Sequence, residues 1–195
     1  MADSTIGTYH LAANAELYEV SRSNNFEFVV TGFDELLRAG AFADTADDLS
    51  DYIKGGQEVL RLSVVKASVP HFTQSVIEVK RGNTIMKAAG VPSFEAGTLE
   101  VNDFIGADTK SVLMAWQRLS YDVTTEKVGR MTEYKKDCTL IEYTPDYEQI
   151  RYWDLKGCWV SGISEGTYDM ESGDKRVITA TIQFDKAIMH LPDEE

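Results

Sequence analysis

Hydrophobic and polar residues alternate most regularly near the end of the chain. Every second position from 178 to 184 is apolar, and polar residues stand between: the apolar set is Ile178, Ala180, Ile182 and Phe184. A period of two residues is typical of an antiparallel strand with one buried and one solvated face. The pattern therefore predicts a strand here, with Ile178, Ile182 and Phe184 as core residues.

A second strand-like run, residues 149–159, precedes this one and contains two of the three tryptophans. Its alternation places four residues on one face, namely Trp153, Leu155, Gly157 and Trp159. Large aromatic side chains at such positions are more often packing anchors than binding platforms. We therefore expect Trp153 and Trp159 to pack, and a tight turn at residues 171–174 to join the two runs.

Other segments rich in apolar and β-branched residues predict further strands: 26–33, 58–69, 74–87 (divided by a turn at 81–83), 98–102 and 138–144. Residues 88–97 contain Gly90, Pro92 and Gly97, so we expect a connection there. The strand at 26–33 is apolar on both faces. Such a strand needs cover on both sides, from its own domain or from another chain.

One helix is predicted, over residues 110–121. Asp108 or Thr109 can cap its first turn, and its apolar residues recur at helical spacing: Val112, Leu113, Trp116 and Leu119. We therefore expect Trp116 to anchor this helix against a sheet. The element order predicts a mainly β fold, an antiparallel β-sandwich or small barrel with one packed α-helix.

The chain length suits one domain with two additions. Residues 1–25 are polar and predict an N-terminal arm before a β domain over 26–195. Within that domain, residues 34–57 carry six acidic residues against Arg38 and Lys54 and predict a long loop insertion with a short helix. Loops of this length are usually functional or disordered, and we expect this one to contact other subunits.

The net charge of the chain limits the kinds of partner that it can bind. The formal net charge is −13, from 32 acidic and 19 basic residues. Such a surface repels phosphate backbones, which argues against tight nucleic-acid binding through a basic groove. No secretory signal and no apolar run long enough to span a bilayer is evident, so we expect a protein made in a cytoplasm and without a membrane partner. Cys138 and Cys158 are then expected to be reduced and buried.

No constellation that supports catalysis is evident. His10, His71 and His190 lack ligand-like partners, and the two cysteines lack CxxC spacing, so we expect no metal site. Phosphate-binding and nucleophile-elbow motifs are absent, so we expect no cofactor and no enzyme activity.

The order and spacing of these segments resemble the tail tube proteins of contractile-tailed bacteriophages. The resemblance runs from Phe26 to Leu191 and rests on EVLRLSVVKASVP, VIEVKRGNTIMKAAG, TLEVNDFIGADTKSVLMAWQRLSYD, YKKDCTLIEYT, WDLKGCWVSGI and VITATIQFDKAI. Each motif is weak alone, and the shared order makes the set specific.

This resemblance implies a structural virion protein. Its subunits would form hexameric rings in which strands of neighbours join into one inner β-barrel, and the rings would stack into a tail tube assembled in the host cytoplasm. The implied partners are further copies, the sheath protein, and the tape-measure and baseplate proteins. DNA would pass through the lumen without specific binding.

Candidate lumen residues are the polar alternates of two predicted strands: Arg61 and Ser63 in one, and Glu78 and Lys80 in the other. Alternation alone equally allows these side chains to face the outside of the subunit.

Three alternative functions stay open. The chain could form the tube of a related injection machine, such as a type VI secretion system or a tailocin. It could be a tube-initiator or baseplate protein of similar fold. In a different class, it could be a monomeric β-sandwich binding module.

Overall fold

The computed structural model describes residues 20–34, 55–106, 108–171 and 173–191. Most of the predicted arm, residues 1–19, and most of the predicted insertion, residues 35–54, lie outside these residues. The helices are α1 (Gly56–Ser63), α2 (Thr109–Ser120) and α3 (Met131–Tyr134). The strands are β1 (Phe26–Val30), β2 (Val64–Ala67), β3 (Phe72–Arg81), β4 (Thr84–Phe94), β5 (Gly97–Asn102), β6 (Tyr121–Asp122), β7 (Lys127–Val128), β8 (Lys136–Tyr143), β9 (Gln149–Ser164), β10 (Val177–Gln183) and β11 (Lys186–His190).

A seven-stranded antiparallel sheet forms the body, in the order β1-β8-β9-β10-β5-β2, with β11 added beside β9. Two separate two-stranded sheets, β3–β4 and β6–β7, complete the described strands. The prediction of a mainly β, antiparallel fold with a packed helix is confirmed. Among the described residues, none of the helices combines the length and apolarity needed to cross a membrane.

Strand β9 links the two halves of this sheet because its first part pairs with β8 and β11 and its second part with β10. At Gly157, with φ of +69°, β9 gains one residue relative to β8. Such a bulge shifts the phase of the alternation. Leu155 is buried before it, and Cys158 and Val160 are buried after it. The predicted common face of Trp153, Leu155, Gly157 and Trp159 is therefore wrong beyond Gly157.

Helix α2 covers the core with the predicted stripe. Asp108 accepts a hydrogen bond from the Ser111 amide (3.2 Å), as a capping residue does. Trp116 is fully buried, donates from Nε1 to the Tyr134 carbonyl (2.9 Å) and meets Phe33 edge-on at 5.1 Å. The helix prediction is confirmed to within one residue at each end.

The core lies between this helix and the inner face of the sheet. Strand β10 contributes Ile178, Ala180 and Ile182, and Phe184 follows at the core boundary. Trp153 is half-buried and packs against this core, whereas Trp159 is half-buried against Tyr134, with ring centroids 5.7 Å apart.

The predicted strand over 58–69 is wrong in its first half, because residues 56–63 form α1 and only Val64–Ala67 are extended. The helix buries Gly56, Leu60 and Ser63 on one side, a helical rather than a two-residue spacing. Arg61 lies on its solvent side and pairs with Glu27 of β1.

Ser63 has no exposed surface, and its hydroxyl donates to the Leu60 carbonyl (3.0 Å). Its side chain is enclosed within the subunit, so the suggestion that it faces a lumen is wrong.

Candidate assembly surface

The β3–β4 hairpin projects from the body as a separate sheet. Every residue of β3 is exposed, and so is every residue of β4 except Gly90 and Phe94. The predicted turn at 81–83 is confirmed, whereas the predicted connection over 88–97 is wrong, since β4 continues to Phe94. Residues 72–94 thus form one long arm of the fold.

The tip of the hairpin is a two-residue turn. Arg81 pairs with Thr84, which leaves Gly82 and Asn83 as the central residues. Gly82 has φ of +62°, and Asn83 is not among the described residues with positive φ. A positive φ at the first central position alone defines a type II′ turn, whose twist matches that of paired strands.

A bulge between Gln74 and Val76 interrupts the hairpin opposite Gly90. A Cβ atom at Gly90 would lie 2.7 Å from the Ser75 carbonyl oxygen. The two backbones approach this closely only because Gly90 lacks a side chain, so the bulge depends on this residue.

Aromatic rings fix the base of the hairpin to the body. Phe72 and Phe94 lie 5.6 Å apart across the two strands, and Phe94 lies 6.0 Å from Phe184 at the end of β10. The Glu95 amide donates to the His71 carbonyl (3.2 Å) just below them. The arm therefore starts from a packed position, although most of its length makes no contact with the body.

The two faces of the hairpin differ in chemistry. Opposite residues of an antiparallel pair share a face. One face carries Ile77 opposite Ala88 and Val79 opposite Met86, with Arg81 opposite Thr84 beside the turn, and we call it the apolar face. The other carries Val76 opposite Ala89, Glu78 opposite Lys87 and Lys80 opposite Ile85, and we call it the charged face.

The apolar face exposes an unusual set of large apolar side chains. Ile77 is 53% exposed, Val79 44% and Met86 62%, and they are contiguous on one side of one sheet. Contiguous exposed apolar residues mark interaction sites. A two-stranded sheet alone is at best marginally stable in water, so this arm needs a partner surface.

The backbone edges and the charge of the hairpin suit an acidic partner. Among the described residues β3 and β4 pair only with each other, which leaves an open edge on each strand. Residues 72–94 contain three basic residues and one acidic residue, a net charge of +2 in a chain of −13. The remainder of the chain is therefore at −15, from −13 minus +2, and a second copy offers this arm an opposite charge.

The structure separates the predicted lumen residues into two places. Glu78 and Lys80 both lie on the charged face of the hairpin, whereas Arg61 lies on α1 beside β1. Lys87 on the charged face was not predicted from the sequence. The apolar face was not predicted either; it consists of Ile77, Val79, Met86 and Ala88. The alternation over 84–89 carried that signal, because Ile85 and Lys87 interleave with Met86 and Ala88.

An ion cluster secures the connection between β9 and β10. Glu165 accepts from Lys110 (2.7 Å) and Arg176 (2.5 Å), and Arg176 also approaches Asp103 (3.5 Å) and stacks over the Tyr168 ring at 4.3 Å. The hydrogen bond from Lys110 holds the pKa of Glu165 below its ordinary value. The cluster is structural, since all five side chains satisfy one another.

The described residues hold no group of three or more His, Cys, Asp or Glu side chains placed to bind a metal ion. Cys138 and Cys158 are both free and buried. Burial raises the pKa of the Cys138 thiol well above its ordinary value, which keeps the thiol protonated and unreactive.

Solved structures of contractile injection systems share this fold. A chain of an extracellular contractile injection system, the PVC sheath–tube complex in its extended state, aligns with a TM-score of 0.61 at 16% identity, over 96% of this chain and 99% of that one. The tube-terminating cap of the anti-feeding prophage aligns with a TM-score of 0.60 at 14% identity, over 88% of this chain and 91% of that one.

A third structure, the PVC sheath/tube terminator in the extended state, aligns with a TM-score of 0.53 at 23% identity over 65% of this chain and 84% of that one. No protein-family model matches the sequence, and no curated protein matches it. At these identities the likeness shows the fold, and it confirms the predicted resemblance at that level.

Proposed function

We propose that this chain is the structural subunit of the tube of a contractile injection machine. The observation that carries the proposal is the β3–β4 hairpin, which offers an exposed apolar face and two open edges in a chain with the fold of injection-system components. Head-to-tail insertion of one hairpin onto the next copy repeats around an axis and closes a ring. Ring closure covers the apolar face and both edges at once.

The charged face of the hairpin then lines the bore. Burying the apolar face of Val79 and Met86 against a neighbour leaves Glu78, Lys80 and Lys87 directed away from it. Glu78 and Lys80 are retained as lumen residues in this proposal, with Lys87 added. Stacked rings, which we expect to be hexameric, form the conduit, and the sheath, tape-measure and baseplate proteins are its expected partners.

The charge of the bore wall affects which kind of molecule can pass through the tube. The three charged residues give +1 per subunit, from two lysines and one glutamate. A cationic wall binds phosphate backbones rather than letting them slide. This, with the likeness to the PVC and anti-feeding prophage structures, favours the tube of an injection system over a DNA-conducting phage tail.

The phage tail tube is the second candidate, carried by the sequence motifs from Phe26 to Leu191. In that case the tube belongs to a virion tail and conducts DNA. Capsid and terminase genes beside the gene for this chain would identify the phage, and their absence beside sheath and baseplate genes would identify the injection system.

The hairpin assignment is tested by a matched pair of substitutions. Val79→Asp places a charge on the apolar face, and Ile85→Asp makes the same kind of change on the charged face. Both sites are exposed in the subunit, so both variants should fold like wild type. We expect Val79→Asp to sediment as free subunits, while Ile85→Asp still assembles. Equal assembly of both variants would contradict the proposed use of the apolar face.

A further inference from the structure

Two loops expose large apolar side chains at one end of the sheet. One loop follows β5 and the other follows β9. Phe104 is 44% exposed and Tyr168 81%, while Ile105 and Met170 are fully exposed. We call these four residues the loop surface. Exposed apolar side chains that lie together mark an interaction site.

Arg176 joins the two loops. The Asp103 amide donates to the Arg176 carbonyl (3.1 Å), and the Asp103 carboxylate lies 3.5 Å from the guanidinium. The same guanidinium stacks over the Tyr168 ring at 4.3 Å. Phe104, which follows Asp103, and Tyr168 therefore flank one fixed side chain. The ion cluster thus holds the loop surface in place before any partner binds.

The loop surface and the β3–β4 hairpin lie at opposite ends of the sheet. Strand β4 leads into the start of β5, at Gly97, whereas the first loop follows the end of β5, at Asn102. Ile105 and Met170 are fully exposed, so the hairpin of the same subunit does not cover them. A contact between hairpin and loop surface is therefore a head-to-tail contact between two copies, of the kind that repeats around an axis.

The charge of the loops is opposite to that of the hairpin. Residues 103–110 and 165–176 contain six acidic and three basic residues, a net charge of −3. The ion cluster contributes two residues of each sign, so the net charge comes from the residues outside it: Asp108, Asp169, Glu171 and Asp174 against Lys175. The hairpin carries +2, and Arg81 lies on its apolar face.

Charge separates the loop surface from a second exposed apolar group. That group lies on and around β6, β7 and α3 and includes Val123, Val128 and Met131. Residues 111–134, which contain it, have three acidic and three basic residues, a net charge of zero. Both groups offer apolar contact area, and the loop surface alone of the two also attracts a basic partner.

We propose that the loop surface receives the apolar face of the β3–β4 hairpin from the next copy. The apolar face packs on Ile105 and Met170, and Arg81 approaches Asp169 and Glu171. Apolar burial stabilises the contact, and the opposite charges orient the two copies. This inference rests on the proposed function and adds the receiving half of the contact between subunits.

Cysteine cross-linking of the assembled full-length protein tests this inference. Met86→Cys combined with Met170→Cys places one thiol on the apolar face and one on the loop surface. The matched control combines Met86→Cys with Met131→Cys, because Met131 is also exposed (67%) but belongs to the second apolar group. Both native cysteines are buried, which limits competing reactions.

On mild oxidation we expect the 86–170 pair to form disulfides between subunits at least about tenfold faster than the 86–131 pair. The product should run as a ladder of covalent oligomers on a denaturing gel. Equal rates for the two pairs would overturn the inference, and so would an internal disulfide in a single subunit. If wild type forms rings while the two pairs react equally, the tube proposal stands and only the receiving surface is wrong.

A second pair of substitutions tests the loop surface without added thiols. Ile105→Asp places a charge on the loop surface, and Val123→Asp makes the same kind of change in the second apolar group. Both side chains are exposed, so both variants should fold like wild type. We expect Ile105→Asp to need at least about tenfold more protein than Val123→Asp to form rings. The same requirement for both variants would overturn the inference.

Discussion

At the residue scale, Gly157 shows how a single position sets the faces of the longest strand. Its φ of +69° is unfavourable for residues with a side chain, and the bulge there sends Leu155 and Cys158 to the same buried side. Without the bulge, the alternation would direct Trp159 into the core.

We predict that Gly157→Ala lowers the free energy of unfolding by about 1–2 kcal/mol, mainly through the left-handed backbone conformation. An added Cβ would also lie 2.3 Å from the Asp185 carboxylate, which can move because it ends a flexible side chain. Urea denaturation measures the change. Gly162→Ala, in the same strand with nothing within 4 Å of the added carbon, is the control. Equal stability of the two variants would show that the bulge does not constrain residue 157.

A second residue-scale prediction concerns Glu165. Because the pKa of Glu165 is lower in the folded state than its ordinary 4.5, its contribution to stability is fully present above that pH and is lost as the pH falls through the folded pKa. We expect the Tm of wild type to fall more steeply than that of Glu165→Gln on acidification from about pH 6 to pH 3. Glu126→Gln, on the exposed β6–β7 turn, is the control for loss of one charge. Parallel pH profiles for wild type and Glu165→Gln would contradict the role of the ion cluster.

At the element scale, we expect the β3–β4 hairpin and the body to have separable stabilities, because the ring contacts that join them in the described residues, Phe72–Phe94–Phe184, lie at the base of the hairpin. Damage within the hairpin should therefore affect assembly and leave the fold of the body intact.

Gly90→Ala tests this separation. The added Cβ would meet the Ser75 backbone at 2.7 Å, so the bulge must rearrange and the two faces of the hairpin change register. We expect loss of assembly with a Tm within a few degrees of wild type, since a local change outside the core costs little global stability. Gly162→Ala, with open space around the added carbon, should assemble normally. A large fall in Tm for Gly90→Ala would show that the hairpin belongs to the cooperative core.

Elements whose residues show a strong periodic pattern, or a pattern together with a capping residue, could be predicted from the sequence. Helix α2 combines a capping Asp108 with the stripe of Val112, Trp116 and Leu119, and β10 has a strict two-residue period, so both were predicted correctly. The second part of β4, residues 88–94, was mistaken for a connection because Gly90 and Pro92 usually break strands. Both are tolerated here at a bulge and an open edge.

The sequence was ambiguous where the same residues fit both the two-residue period of a strand and the 3.6-residue period of a helix. Residues 58–63 alternate, which favours a strand, yet Gly56, Leu60 and Ser63 also share a helical face, and tertiary burial selects the helix. Ser63 and Arg61 became lumen candidates through a two-residue period that the helix does not follow. Glu78 and Lys80 lie in a strand with the predicted two-residue alternation. Alternation does not show which face of the strand a partner covers. The exposure of Val79 and Met86 indicates that the covered face is the apolar one.

At the scale of the whole molecule, the described residues form a sheet body with one projecting hairpin whose apolar face is exposed. Under the proposed function, a second copy covers its apolar face and open edges and offers it an opposite charge, and the same contact repeats around the ring. The likeness to an injection-system structure over 96% of the chain shows a shared fold.

Electron microscopy of the purified protein shows whether the chain assembles through the hairpin. We expect rings, and stacks of rings, with a central bore, and we expect them to be lost in Val79→Asp but not in Ile85→Asp. A monodisperse single subunit at every concentration, with no rings or tubes, would contradict this expectation.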